Sequence, residues 1–199
     1  MVDHTKTIDM ADVIGADNMA DAMAARPRSI YLAGFDVFRP DAVAHGEQLK
    51  MLCNKYGYEG RYPLDKQVPR NLPPQEQARW ICRSNLKVLE QCDVVVANLN
   101  PFRGSEPDSG TVFEVGYAVA LGKPVWAYIN RSDTLVERLA VQRLPGGRGH
   151  VDSLGFTVED FGLNLNLMLA CSVNVVVGTI EDCLQELDSA ARHDAAGNP

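Results

Sequence analysis

Long apolar runs are missing from this 199-residue chain. None approaches the ~18 residues that a membrane-spanning helix needs, and the N-terminus has no apolar core of the kind a secretory signal peptide carries. Cysteine pairing signals are missing as well. The five cysteines (Cys53, Cys82, Cys92, Cys171 and Cys183) are odd in number and form no C-x-x-C pair, which suits a reducing, cytoplasmic location. Histidine is scarce. His4, His45, His150 and His193 lie far apart, without the i,i+4 or H-x-E spacings that gather metal ligands, so no metal is expected. Clustered positive charge is absent too: 19 basic residues stand against 26 acidic ones, for a formal charge of -7. Nucleic acid and membrane surfaces are therefore not expected as partners. What is present, 46% hydrophobic and 23% charged residues, is the composition of one globular domain with a substantial core.

Residues 1–27 read as an N-terminal extension, either an amphipathic helix through Met10, Val13 and Ile14 or a frayed segment. The single domain is expected over 28–192, with a tail over 193–199. Its body alternates strand and helix signals. "SIYLAG" (29–34), "DVVVANL" (93–99) and "PVWAYI" (124–129) are short apolar runs of the kind found in strands covered on both faces. "YEGRYP" is a weaker strand. Between them, "PDAVAHGEQLKMLCNKYG" and "PPQEQARWICRSNLKVLEQC" have helical spacing, the first stopped at Gly57. A third helix begins within "PDSGTVFEVGYAVALGK" (107–123) and stops at Gly122. Residues 131–160 read as an irregular excursion, and "NLNLMLA" and "TIEDCLQELDSAARH" as helical segments around "VNVVVG". This order predicts an α/β fold: a doubly wound sandwich, flavodoxin-like or Rossmann-like, with a mainly parallel central sheet.

One residue in the third helix is out of place. From Val112 to Leu121 every residue except Glu114 is apolar, Gly or Tyr. The positions three and four away on its face (Gly110, Thr111, Tyr117 and Ala118) offer no cation. An arbitrary glutamate points to solvent, but a carboxylate in so apolar a helix costs several kcal/mol unless it is paired or used. In a doubly wound sheet the loop 100–110 leaves its strand at the carboxyl edge, where ligands bind. Asp108, six residues upstream, is suited both to cap this helix and to act as a second acid in the same cleft. Two carboxyls at one cleft suggest glycosyl chemistry, with one attacking an anomeric carbon and the other handling the leaving group's proton.

Other motifs fail on spacing. "GYAVALGKP" has five residues between its glycines and Pro124 where a phosphate loop needs Ser or Thr. No G-x-G-x-x-G follows "SIYLAG", so no dinucleotide cofactor is indicated. Ser109 lacks the glycines of a nucleophile elbow. Arg79, Arg83 and Arg103 are candidates for a phosphate, but a solvated face accounts for them as well.

An ordered set of segments, "IYLAGFDVF", "YPLDKQ", "SNLKVLEQCDVVVANL", "DSGTVFEVGYAVALGKPV" and "NLNLML", resembles the nucleoside 2-deoxyribosyltransferase family over residues 29–180. The resemblance implies transfer of a 2-deoxyribosyl group between nucleobases in nucleoside salvage, with nucleosides and free bases as partners and no cofactor. It makes Glu114 the nucleophile, Asp108 the acid that protonates the departing base, and Tyr31 the residue that orients the nucleophile. Gly34, Phe35 and Phe38 would form the base pocket with Gln67 as a base contact. Asn85 stands where some members carry aspartate; it can hydrogen-bond a base but not protonate one as a strong acid. Asn166 and Met168 match residues supplied by a neighbouring subunit, which implies a homo-oligomer of at least two chains. For the leucines of "NLNLML" an ordinary core role is sufficient. The alternatives are an N-glycoside hydrolase of nucleosides or their 5'-monophosphates, and a non-catalytic nucleotide-sensing module.

Overall fold

The computed structural model describes residues 28–147 and 149–196; the extension expected over residues 1–27 lies outside them. Five strands, β1 (Ser29–Ala33), β2 (Glu59–Arg61), β3 (Val94–Asn98), β4 (Val125–Ile129) and β8 (Asn174–Val177), form one sheet in the order β2-β1-β3-β4-β8. Every pairing in it is parallel. This is the doubly wound order in which the chain reverses direction of winding between β1 and β3, and the crevice at that switch point is where ligands bind in such folds.

The helices divide by face, as the side-chain alternation of β1 requires. Ile30 and Leu32 pack with Leu49 and Cys53 of α1 (Ala42–Lys55) and with Cys183 and Leu184 of α6 (Ile180–Ala196). Tyr31 and Ala33 point to the other face. There they pack with Leu89 of α2 (Pro74–Gln91) and with Val115 and Ala118 of α3 (Ser109–Ala120). A polar hydroxyl is thus delivered to the α3 side by register alone, because Tyr31 sits opposite Val95 in the middle of the sheet.

The expected helix stops hold. α1 ends at Lys55 and α3 at Ala120, and Gly57 and Gly122 follow with φ of 79° and 69°, left-handed conformations that a residue with a Cβ resists. Three expectations change. The excursion at 131–160 contains a short helix, α4 (Leu135–Arg138), and a separate antiparallel sheet of β5 (Gln142–Arg143), β6 (His150–Val151) and β7 (Thr157–Val158). "NLNLMLA" is helical only over α5 (Leu167–Ala170), because Asn166 caps it: its side chain accepts a hydrogen bond from the Met168 N–H. α6 continues to Ala196, so its last turn reaches into the stretch that read as tail.

Candidate active site

Glu114 faces β1. The Tyr31 hydroxyl donates a hydrogen bond to its Oε1 at 2.6 Å, joining the central strand to α3. Burial is the main influence on this carboxyl: removing it from water penalises the charged form and, with Asp108 nearby adding repulsion, pushes its pKa up to about 7 against the pull of the Tyr31 bond. Burial and the adjacent carboxylate push the Tyr31 phenol far upward as well, so it remains a donor.

Asp108 is the N-cap of α3. Its Oδ2 accepts from the Thr111 N–H at 2.9 Å and from Thr111 Oγ1 at 3.1 Å. Both bonds fall on one oxygen. Oδ1 therefore takes no donor among the described residues. A Cβ at Gly110 would lie 3.0 Å from Oδ2, so the glycine gives this carboxylate its room.

Around this pair the loops at the carboxyl edge of the sheet are tied by a polar network, buried at Asp36 and Asn98, that the sequence did not single out. His45 Nε2 lies 3.1 Å from Asp36 Oδ1, and Asn98 Nδ2 donates to Asp36 Oδ2 at 2.8 Å. Asn100 Nδ2 in turn donates to Asn98 Oδ1 at 2.7 Å, and the Asn130 N–H donates to Asn100 Oδ1 at 2.8 Å. The ends of β1, β3 and β4 are thereby fixed to one another. Gly34 belongs here: a Cβ would meet Asp36 Oδ2 at 2.8 Å and Asn98 Cβ at 3.0 Å. The signal available in the sequence was Asn98, a lone amide closing an apolar strand, since a buried amide requires partners.

Phe35 and Phe38 are brought together by a third ring that was not predicted. Phe102 stacks on Phe35 with centroids 4.8 Å apart and on Phe38 at 5.4 Å. The Arg103 guanidinium lies over Phe102 and Phe38 at 4.7 and 5.2 Å, on a backbone with φ 55°, uncommon for a residue other than glycine. Arg138 steadies the loop beyond: nearly all of its side chain is buried, and it donates to the carbonyls of Ser105, Asp133 and Asn164.

Asn85 lines a pocket of about 340 Å³ under α2 with Ser29, Arg61 and Tyr62, and Gln67 is exposed on a groove beside Val43 and Lys50. No hydrogen bond joins either to Glu114 or Asp108 among the described residues. Asn166 and Met168 line an apolar groove of about 660 Å³ along α3 with Val112, Gly116 and Val119. Glu114 is two residues from both Val112 and Gly116, about 160° round the helix, so within one chain these residues lie on the far side of α3 from the carboxylate. The Asn166 amide is already engaged: Oδ1 accepts from the Met168 N–H and Nδ2 donates to Glu159. Met168 is 68% exposed.

A parallel doubly wound sheet with a half-buried, tyrosine-bound glutamate on a helix capped by an aspartate defines an α/β protein with two carboxyls on the helix that follows its central strand. The nucleoside 2-deoxyribosyltransferase family model matches residues 30–168. The chain belongs to the nucleoside 2-deoxyribosyltransferase family. It is 30% identical over 185 residues to an uncharacterized protein of Schizosaccharomyces pombe, the match covering 84% of this chain and 88% of that one. Its structure is similar to a 2-deoxyribosyltransferase from Leishmania mexicana, with a TM-score of 0.65 and 31% identity over 82% of this chain and 98% of the other. A 2-deoxyribosyltransferase from Bacillus psychrosaccharolyticus, 18% identical with a TM-score of 0.51 over 80% of this chain and 90% of that one, shares the fold. Family and fold point to a deoxyribosyltransferase or a related N-glycosidase. No helix among the described residues is long and apolar enough to cross a membrane.

Proposed function

We propose that this protein transfers the 2-deoxyribosyl group between nucleobases through a covalent deoxyribosyl-Glu114 intermediate. The observation that carries this reading is the half-buried Glu114 carboxyl held at 2.6 Å by the Tyr31 hydroxyl. Glu114 attacks C1' of a 2'-deoxynucleoside, and the C1'–N bond breaks with its electron pair going to the base. Protonated Asp108 gives its proton to that base. In the second half a new base attacks C1', its proton passes to the Asp108 carboxylate, and Glu114 leaves as a carboxylate. Gly34, Phe35 and Phe38, with Gln67 and Asn85, are proposed to hold the base. The direct test is incubation of deoxyinosine with adenine: deoxyadenosine appears, and intact-mass measurement with donor alone detects a deoxyribosyl adduct that Glu114→Ala lacks. Failure to exchange any purine or pyrimidine donor refutes the reading.

The nucleophile must be ionised, so the rising limb of the pH profile of kcat/KM for the donor is expected near 7, the value to which burial pushes Glu114. Tyr31→Phe removes the one interaction that lowers this pKa. The rising limb should then move to higher pH, and the rate at neutral pH fall by about tenfold or more. A pH profile of both enzymes checks this; an unmoved limb separates Tyr31 from the nucleophile's ionisation.

Asn166 and Met168 are proposed to serve the site of a neighbouring subunit in a homo-oligomer of at least two chains. Support comes from their position on the side of α3 away from Glu114 and from the exposure of Met168 beside an apolar groove. Subunit complementation tests it. Glu114→Ala and Asn166→Ala are each expected to be nearly inactive, whereas subunits mixed through dissociation and reassociation regain activity, because one hybrid site receives both native residues. No recovery removes the shared-site proposal.

A second reading, hydrolysis of the N-glycosidic bond of a nucleoside or its 5'-monophosphate, is favoured by Arg103. Its guanidinium rests on two rings beside Phe35 and has no acidic partner among the described residues. Free base released without an acceptor, faster from the monophosphate and slowed by Arg103→Ala, would establish that activity.

A further inference from the structure

Away from the two-carboxyl cleft, four cations meet that have no interaction to keep them together. α2 presents Arg79, Arg83 and Lys87 at four-residue intervals, and these line one groove of about 590 Å³ with Lys66 from the loop before the helix and the half-buried ring of Trp80. Glu76 is the acid on this groove. None of the four cations makes an ion pair or hydrogen bond among the described residues. On a chain whose formal charge is -7, four exposed like charges gathered on one groove with a single acid among them repel one another, an effect that salt weakens.

Most of α2 has little packing to explain this arrangement. Of its 18 residues only Leu89 is fully buried, so its exposed surface is open to a ligand. The row from Arg79 to Lys87 spans eight residues, about 12 Å along the helix axis. That is longer than a single phosphate and suited to a chain of two or three. Arginine adds planar, paired donors for phosphate oxygens, and Trp80 offers a face on which a base can stack. The groove falls within the size range of small-molecule sites. It is compact, not a long basic stripe, and the net negative charge of the chain disfavours an extended polyanion.

The geometry points to a nucleoside polyphosphate site in this groove, with the phosphates along Arg79, Arg83, Lys87 and Lys66 and the base against Trp80. It adjoins, through Lys66 and Ser84, the pocket that Asn85 lines, while Arg79 and Arg83 make no hydrogen bond or ion pair with Glu114 or Asp108 among the described residues. Its proposed use is to let the cell's nucleotide level act on a salvage reaction from a second site.

The test uses the full chain titrated with ATP, with inorganic phosphate and adenosine as the two halves of the ligand, followed by tryptophan emission and by equilibrium dialysis. ATP is expected to change the emission saturably, with either half binding at least about tenfold more weakly, and with affinity falling as salt rises. Arg79→Glu combined with Arg83→Glu should weaken ATP by about tenfold or more and leave exchange without ATP unchanged. Trp80→Phe should remove the emission change, distinguishing it from Trp126. Glu114→Ala should bind ATP normally. The proposal is overturned if dialysis detects no ATP binding, if binding persists unchanged in the charge-reversed variant, if it is lost in Glu114→Ala, or if single-stranded oligonucleotides bind there and ATP does not.

Discussion

Glu114→Ala should lower base exchange by about four orders of magnitude or more, because removal of a covalent nucleophile leaves only the contribution of binding and positioning. Its companion Glu114→Gln keeps the size of the side chain and a partner for Tyr31, and it separates chemistry from stability. Glu114 ionises near 4.5 when solvated and at about 7 in the fold. A carboxyl whose folded pKa is raised favours the folded state while protonated. That advantage is lost as pH rises from the unfolded value through the folded one. Above about 7 the native protein carries the cost of a half-buried charge. Glu114→Gln removes it and should stabilise the protein by about 1–3 kcal/mol at pH 8, with the gain shrinking as pH falls toward 5. Denaturant unfolding at the two pH values measures this. An inactive variant that is no more stable at pH 8 would mean that the carboxylate is not strained by its surroundings. Full activity in Glu114→Ala would end the proposed mechanism.

Asp108 carries two roles that two substitutions can separate. As the N-cap of α3 it receives both the Thr111 N–H and the Thr111 hydroxyl on Oδ2. Asn caps about as well as Asp, whereas Ala loses the cap at a cost of roughly 1 kcal/mol. Asp108→Asn should therefore fold with native stability yet lose about two to four orders of magnitude in rate, the usual contribution of a general acid. Asp108→Ala should lose the same activity and also the cap. A donor whose leaving group needs no proton provides the control, because the Asn variant should then recover most of its rate in the first half-reaction. An Asn variant that exchanges ordinary bases at the native rate would reduce Asp108 to a helix cap.

Both predictions depend on a small set of contacts formed by residues far apart in sequence. Tyr31 and Glu114 are 83 residues apart. They meet because β1 and β3 are neighbours in a parallel sheet and α3 follows β3 onto the face toward which odd-numbered residues of β1 point. The Asp36–Asn98–Asn100 network works the same way: three separate loops are fixed by one chain of hydrogen bonds where the strands end. A substitution there would act on the cleft through loop position, with no direct contact to a reacting atom.

Much of this was legible in the chain itself. Apolar runs separated by helical periods set the doubly wound sheet, since strands buried on both faces have to be apolar throughout. Glycine at positions 57 and 122 ended two helices because each requires a positive φ. Glu114 stood out because its helix has almost no polar face, and Asp108 because a cap residue belongs at that helix start. These are local rules of periodicity, backbone conformation and the cost of burying charge, and a sequence states them directly. Tertiary structure decided the rest: that Tyr31 supplies the hydrogen bond to Glu114, that Phe102 joins Phe35 and Phe38 in one stack, that Asn166 caps a single turn on the far side of α3, and that Arg79, Arg83 and Lys87 share a groove with Lys66. Each depends on which segments become neighbours when the sheet assembles. Hydrogen bonding, ring stacking and charge all act through space over a few ångströms, and distance along the chain carries no record of that proximity.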